Sequence, residues 1–484
     1  MAHLSQSTLR EARAIRPAYD RETVDIGIVH LGPGAFHRAH QAVFTDSAIA
    51  KSGGDWGICA VSLNSTHVKE ALEPQDGLYT LAIKDKQPTY RVIGSIKEVL
   101  CAREDSAKVL SRLANPKTHF VTLTITEKGY ALTQDGRLDK ANKFIAQDIK
   151  TPNAPVSAVG YLVEAFRMRR EAGTAPLTVI SCDNLPSNGD KLKRVCAEFA
   201  ASFDTDLAAY IEADIIFPNT MVDSITPATD DGVRDDVEQA IGLKDNWPVQ
   251  REAFAQWVIE DVLPSHRPDW EGAGATLTND VHGFEKAKLR ILNGAHSTLT
   301  YLGLLAGEEA VKDAISNSAL KSFVDGLIRG ETLSTIDAPQ GLQAELYWEQ
   351  IMARFENPEV RHLLEQISHD GSQKIPARIF PVIEFHAKKD SVAKRACFVV
   401  AAWIEFTRTR RQSEMPPVDP YLSAISSSLP APSLSAADYA REMVEVESVF
   451  PEFIRSNSAV TKAILGHVSD IAERGVISAI EKAA

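Results

Sequence analysis

The sequence predicts an α/β fold, with a parallel-sheet domain over residues 1–285 and a mainly α-helical domain over residues 286–484. Three observations lead there. An apolar run, "DIGIVHL", enters a glycine turn, "GPGAFHRAH", and continues as a helical pattern through "HQAVFTDSAIAKSG". Short β-rich runs recur afterwards between helical segments, which is how βαβ units build a parallel sheet. Beyond about residue 285 the texture changes to long helical patterns.

Taken in order, the first strand and its turn place Gly32 and Gly34 in the first two positions of GxGxxG, with His37 in the third. A Rossmann-type dinucleotide turn is one reading, in which the helix N-terminus at Phe36, His37 and Arg38 holds a pyrophosphate through backbone N–H groups and the Arg38 charge. A glycine turn that merely ends a strand is the other. "WGICAVSL" follows at βαβ spacing, and its end reads "SLNSTHVK", without the Asp or Glu that would hold an adenosine ribose or the arginine that would hold a 2′-phosphate. Asn64 is the residue there that can bond a ribose hydroxyl. NAD is the expected cofactor, with NADP left open. "FVTLTIT" and "LTVISC" complete the strand series. The helical part is carried by "KLRILNGAHSTLTYLGLLAG", "ALKSFVDGLIRGETL", "AKRACFVVAAWIEFTR" and "AVTKAILGHVSDIAERGVISAIEKA". The Pro/Ser-rich "MPPVDPYLSAISSSLPAPSLS" between them reads as an ordered surface loop.

A chain of 484 residues supports two or three domains, and a formal charge of −13 argues against a generic nucleic-acid or anionic-membrane surface. "RTRRQ", at residues 408–412, reads as a solvated helix end. Five scattered cysteines without CxxC pairs read as reduced thiols, and neither an apolar leader nor a membrane-length apolar run is present, so a cytoplasmic location is expected. There is no repeat at solenoid spacing.

"KLRILNGAH", residues 288–296, interleaves polar groups with leucines. Plotted as an ideal helix at about 100° per residue, Lys288, Asn293, His296 and Glu285 share an arc of roughly 140° with Leu289 and Leu292. A cleft wall and an amphipathic helix with snorkelling side chains both fit that pattern. The thirteen histidines are dispersed, and "HRAH" (His37 and His40 at i, i+3) lacks a recognised metal motif, so no metal is expected.

Set beside the glycine turn, these residues bring out a resemblance. "GIVHLGPGAFHRAHQAVFTD", "DWGIC", "LTITEKGY", "SCDNLPSNG", "FPNTMVDSITPATD", "WVIED", "KLRILNGAH" and "DGSQKIP", in that order, resemble the long-chain polyol dehydrogenases, the family that includes mannitol 2-dehydrogenases and fructuronate (D-mannonate) and tagaturonate reductases. The likeness runs from about residue 20 into the C-terminal third. It implies a zinc-independent, nicotinamide-dependent oxidoreductase that interconverts a secondary alcohol and a ketone, with the active site between the two domains. It further implies Lys288 as general acid/base, Asn184 and Asn293 as the pair polarising the reacting oxygen, His296 and Lys374 as substrate-orienting groups, and Glu285 in a proton relay. Ser224 stands where the family often has arginine, and no role is assigned to it. "TEKGY" and "GAFHRAH" are closest to the fructuronate reductase branch, which implies D-mannonate and D-fructuronate as the substrate pair; an aldonate carboxylate needs a cation, and Arg378 is the candidate. D-mannitol/D-fructose and tagaturonate are the alternatives within the family, and a noncatalytic dinucleotide sensor is the alternative outside it. The expected partner is a small sugar acid or polyol, with no nucleic acid or membrane, acting on a monomer or small homo-oligomer.

Lys288 works as a base only when neutral, and at an unperturbed pKa near 10.4 roughly a few lysines in ten thousand are neutral at pH 7. The role therefore requires burial or a neighbouring positive charge, and it excludes a tight permanent pair with Glu285.

Overall fold

Period-two alternation shapes the first unit of the computed structural model, which describes every residue except Gln134, Val360, Arg361 and Ala484. The chain divides into Met1–His282 and Gly283–Ala484. The first unit carries β1 (Ile26–Leu31), β2 (Gly57–Ser62), β3 (Tyr79–Lys84), β4 (Thr89–Ile93), β5 (Ile96–Cys101), β6 (Phe120–Leu123), β7 (Thr178–Ser181), β8 (Thr220–Asp223), β9 (Val249–Glu252), β10 (Gln256–Glu260) and β11 (Thr276–Thr278).

Five of these strands form one parallel sheet in the order β5-β2-β1-β6-β7. Alternate residues of β1 leave on opposite faces. Val29 and Leu31 join a core with Val61, Leu123 and Val179 under the helices Ala102–Ala114, Ala158–Glu171 and Asn188–Ala200. Ile28 joins a second core with Ile58, Phe120, Ile180, Trp257 and Trp270. Both faces are covered, so β1, β2, β6 and β7 are buried and largely apolar, and that is why they stand out in the sequence. The chain reverses its direction of sheet growth between β1 and β6, which makes the carboxyl ends of those two strands the topological switch point where such sheets bind ligands.

Two small sheets, β11-β10-β8 and β4-β3-β9, flank the main one. Their strands are short and partly polar, and the sequence patterns do not single them out.

The second unit is helical, as expected. The longest helices are Lys394–Gln412 and Ser458–Arg474. Gly475, at φ 79°, ends the latter and separates it from Val476–Ala483, so the last helical pattern is two helices. The Pro/Ser-rich stretch differs from a simple loop. Pro420–Ala424 is a short helix, started by the Asp419 side chain accepting from Leu422 N and by proline in the first turn. At "RTRRQ", Arg408 pairs with Glu405, Arg410 with Glu365, and Arg411 donates to Pro430 O, which closes a helix end. All five cysteines are free and buried, and among the described residues no helix is long and apolar enough to cross a membrane.

Candidate functional site

The glycine turn closes tightly over the switch point. Gly32 has φ 89°, and a Cβ there would lie 2.3 Å from Thr124 O, so no side chain fits. The turn is tied on both sides: Gly32 N donates to Val61 O at 2.9 Å, and Thr124 Oγ1 donates to Gly32 O at 2.7 Å. Gly34 is exposed and caps the short helix Ala35–Ala39, whose first intrahelical bond runs from Arg38 N to Gly34 O. The amides of residues 35–37 precede that bond, so they are available to an anion at the turn. Asn64 lies exposed in the bend after β2, where a ribose belongs. The cradle therefore fits a dinucleotide.

Where a third glycine would give close helix–strand packing, His37 does so with a flat ring. Its imidazole stacks on His30 of β1 with centroids 3.3 Å apart and planes 13° from parallel. His30 is held by Thr122 Oγ1 (2.7 Å) and Thr124 Oγ1 (3.0 Å). Burial keeps both imidazoles neutral, with His30 pushed down to about 3. The His37 side chain thus belongs to the core, and only its backbone faces the turn.

Arg38 departs from its expected place. Its side chain is 1% exposed, with Nη1 donating to Trp247 O at 2.5 Å and the guanidinium stacked 3.8 Å above the Trp247 ring. Tyr79 Oη donates to Arg38 O. The charge is spent inside the fold and not on a phosphate. Arg38→Met should therefore lower the melting temperature by several degrees while leaving the KM for dinucleotide unchanged. A raised KM at unchanged melting temperature would return Arg38 to the cofactor.

His40 interrupts the helix with φ −126° and ψ −90°, and the chain resumes as Gln41–Ser52. Its ring nitrogens meet Gln256 O (2.9 Å) and Gln41 Nε2 (2.9 Å), away from His37. Among the described residues no three His, Cys, Asp or Glu side chains gather as a metal site.

Four of the sequence blocks interlock beyond β7. Asp183 accepts from Ile125 N, Thr126 N and Tyr130 Oη, which holds "TEKGY" against "SCDN". Buried Asn188 donates to Ser181 O, Asp183 O and Thr220 O and accepts from Thr220 N. Asn219 accepts from Gly189 N and donates to Glu260. This lattice fixes a loop in which Asn184 is exposed. Asp183, Asn188 and Asn219 are positioning residues that the motif reading passes over, although all three stand in the quoted blocks. Ser224 donates to Phe254 O, a structural contact.

In the second unit the helix around Lys288 is not an ideal α-helix. Val281–Ala287 is α-helical, Lys288–Asn293 is a π-helix, and Gly294–Ala306 is α-helical again. The wider i→i+5 turn changes which residues share a face and is a feature that gathers at functional sites. Lys288 opens the π segment at 9% exposure, Asn293 closes it half-buried, and Glu285 sits half-buried one turn before. Arg378 braces this turn, with Nη1 donating to Asn293 O at 3.2 Å and Ser297 Oγ at 3.0 Å.

His296 follows at 8% exposure, tilted against Phe355 (4.7 Å) and edge-on to His362 (5.1 Å). Burial first, then the charges of His362, Arg354, Arg378 and Lys374, hold it neutral. Lys374 donates to Ile367 O at 3.0 Å, and its own pKa is lowered by burial and then by Arg378. Gly371, in "DGSQKIP", is required because a Cβ would lie 2.5 Å from both Trp403 Nε1 and Tyr301 Oη. Lys374 and Arg378 thus lie around His296, with His362 and Arg354 as further neighbours that no local motif signals.

A family model described as the mannitol dehydrogenase Rossmann domain matches residues 26–272, and one described as the mannitol dehydrogenase C-terminal domain matches residues 280–472. The chain belongs to the mannitol dehydrogenase family. It is accordingly an oxidoreductase acting on CH–OH groups. The D-mannonate oxidoreductase of Escherichia coli (strain K12) is 38% identical over 468 residues, which cover 95% of this chain and 96% of that protein. Among solved structures, Pseudomonas fluorescens mannitol 2-dehydrogenase in ternary complex with NAD and D-mannitol is 32% identical with a TM-score of 0.82, covering 99% of each chain. A substrate-free D-sorbitol dehydrogenase is 32% identical with a TM-score of 0.88, covering 99% of this chain and 100% of that one.

Proposed function

We propose that this member of the mannitol dehydrogenase family interconverts D-mannonate and D-fructuronate with NAD(H). The observation that carries the substrate reading is the positive charge of Arg354, Lys374 and Arg378 acting on buried His296. Such surroundings suit an anionic sugar acid better than a neutral polyol. The 38% identity to a D-mannonate oxidoreductase supports the same reading. D-mannitol is the second reading, supported by the neighbour solved with NAD and D-mannitol.

The turn at Gly32 and Gly34, with the amides of Phe36 and His37 behind it, holds the pyrophosphate, and Asn64 bonds a ribose hydroxyl. NAD is preferred because no arginine stands in "SLNSTHVK" to hold a 2′-phosphate, and its one lysine, Lys69, is paired with Asp105. Bound nicotinamide supplies or accepts the hydride. Lys288 holds the proton at Nζ, giving it to the ketone oxygen in reduction and taking it from the hydroxyl in oxidation. Asn184 and Asn293 donate side-chain N–H groups to that oxygen as negative charge builds on it, without adding a titrating group. Glu285 passes the proton between Lys288 and solvent. His296 and Lys374 orient the substrate, and Arg378 adds charge while its Nη1 braces Asn293.

The test is to follow NADH and NADPH consumption separately with D-fructuronate, tagaturonate and D-fructose at matched concentrations. The expected result is NADH-linked reduction of D-fructuronate at least tenfold above the others in kcat/KM. Preference for D-fructose would make the enzyme a mannitol 2-dehydrogenase, and binding of dinucleotide without turnover of any of the three would favour a sensor.

A further inference from the structure

Two buried imidazole nitrogens in the second unit lack hydrogen-bond partners: Nε2 of His296 and Nδ1 of His362. Buried polar atoms are ordinarily satisfied, and one left bare is destabilising, so a pair on adjacent rings calls for an explanation. The two rings meet edge to face with centroids 5.1 Å apart. They share their surroundings with Lys374, whose charge acts on both, and with Arg354 and Arg378, whose charges act on His296. The carboxylates that act on Lys374 are Asp370 and Asp419, and the latter is occupied by Ser372 N, Ser372 Oγ and Leu422 N. Phe355 closes the pocket against the other side of His296.

We propose that His362 is a specificity-determining residue, forming with His296 and Lys374 a subsite that takes the carboxylate end of an open-chain sugar acid. This rests on the dehydrogenase reading above and deepens it. A neutral imidazole has one donor and one acceptor nitrogen. The chemistry that satisfies two such rings beside an ammonium is an anionic acceptor flanked by a hydroxyl. An aldonate carries both on adjacent carbons, a carboxylate and its α-hydroxyl. A polyol offers hydroxyls alone and leaves the ammonium without an anion. Arg378 contributes charge while its Nη1 is engaged by Asn293 O and Ser297 Oγ. Lys374 and His362 make the direct contacts of the proposed subsite.

The test compares wild type with His362→Leu, which removes both nitrogens, and His362→Asn, whose amide sits at about the distance of Nδ1 from the backbone. With D-mannonate, His362→Leu is expected to raise KM about 10- to 100-fold with kcat little changed, and His362→Asn to restore most of the loss. With D-mannitol, which brings hydroxyls but no carboxylate, KM should rise severalfold less than with D-mannonate in both variants. An equal rise of KM for both substrates, or failure of Asn to rescue, overturns the subsite and leaves His362 a packing role. Calorimetric titration of D-mannonate into the three full-length proteins with NAD present reads the subsite apart from turnover. Wild-type protein that binds D-mannonate tightly without oxidising it overturns the proposed function but not the subsite. Identical affinities in the three proteins overturn the subsite alone.

Discussion

Lys288→Ala should lower kcat by about 10²–10⁴-fold, the range a positioned general acid/base contributes, and should leave dinucleotide binding unchanged. The side chain is buried at the first residue of a π segment. Truncating it removes the Nζ proton site and alters no residue of the glycine turn. Lys288→Arg should be nearly as inactive, because a guanidinium keeps the charge and gives up its proton to no ordinary base. That pair separates acid/base chemistry from mere positive charge: if the lysine served only to attract an anionic substrate, arginine would substitute for it. Small primary amines in the buffer should restore part of the Lys288→Ala activity, and in D-fructuronate reduction the rescue should follow the protonated amine and fall as pH rises through its pKa. Stopped-flow NADH consumption with D-fructuronate reads the rate, and NADH fluorescence titration reads the binding. Unchanged kcat in Lys288→Ala would remove Lys288 from the reaction.

The features legible in the sequence are those with local causes. β1, β2, β6 and β7 are apolar on both faces because helices cover the sheet on both sides, and their runs mark themselves. β5 belongs to the same sheet, yet "IKEVLC" carries Lys97 and Glu98 side by side and leads straight into the helix Ala102–Ala114, so it merges with its neighbour. The flanking sheets depend on pairings such as β3 with β9, far apart in the chain. Arg38 shows the same limit at one residue. Beside a glycine turn, a cation reads as a phosphate ligand, but Trp247, 209 residues away, draws it inward. The π segment is the most consequential difference. An ideal helical wheel assigns faces from a constant angle per residue, and one widened turn at Lys288–Asn293 resets the relation between Lys288 and everything after it. His362 reaches His296 from a separate segment, so its place in the pocket is a property of the fold.

Asn293→Ala and Asn184→Ala should each lower kcat and kcat/KM together by about 10²–10³-fold, the loss of roughly 2.7–4 kcal/mol that follows removal of one donor to a developing oxyanion. The matched fall in both constants is the diagnostic part. A donor that grips substrate and transition state equally would raise KM and leave kcat alone. The two residues are held by different means: Asn184 by the lattice that Asp183, Asn188 and Asn219 make beyond β7, Asn293 by its own carbonyl on Arg378 and by the end of the π turn. Arg378→Lys should therefore weaken the Asn293 contribution and leave that of Asn184 intact. In a double-mutant cycle, Arg378→Lys and Asn293→Ala should combine to less than the sum of their separate losses, while Arg378→Lys and Asn184→Ala should add. Asn293→Asp carries the argument one step further, because a carboxylate in place of the amide sets like charge against the forming alkoxide and should be more damaging than alanine. If aspartate proved milder than alanine, the charge at that position would be building in the opposite sense, and Asn293 would have to be reassigned from the reacting oxygen to a hydroxyl of the substrate.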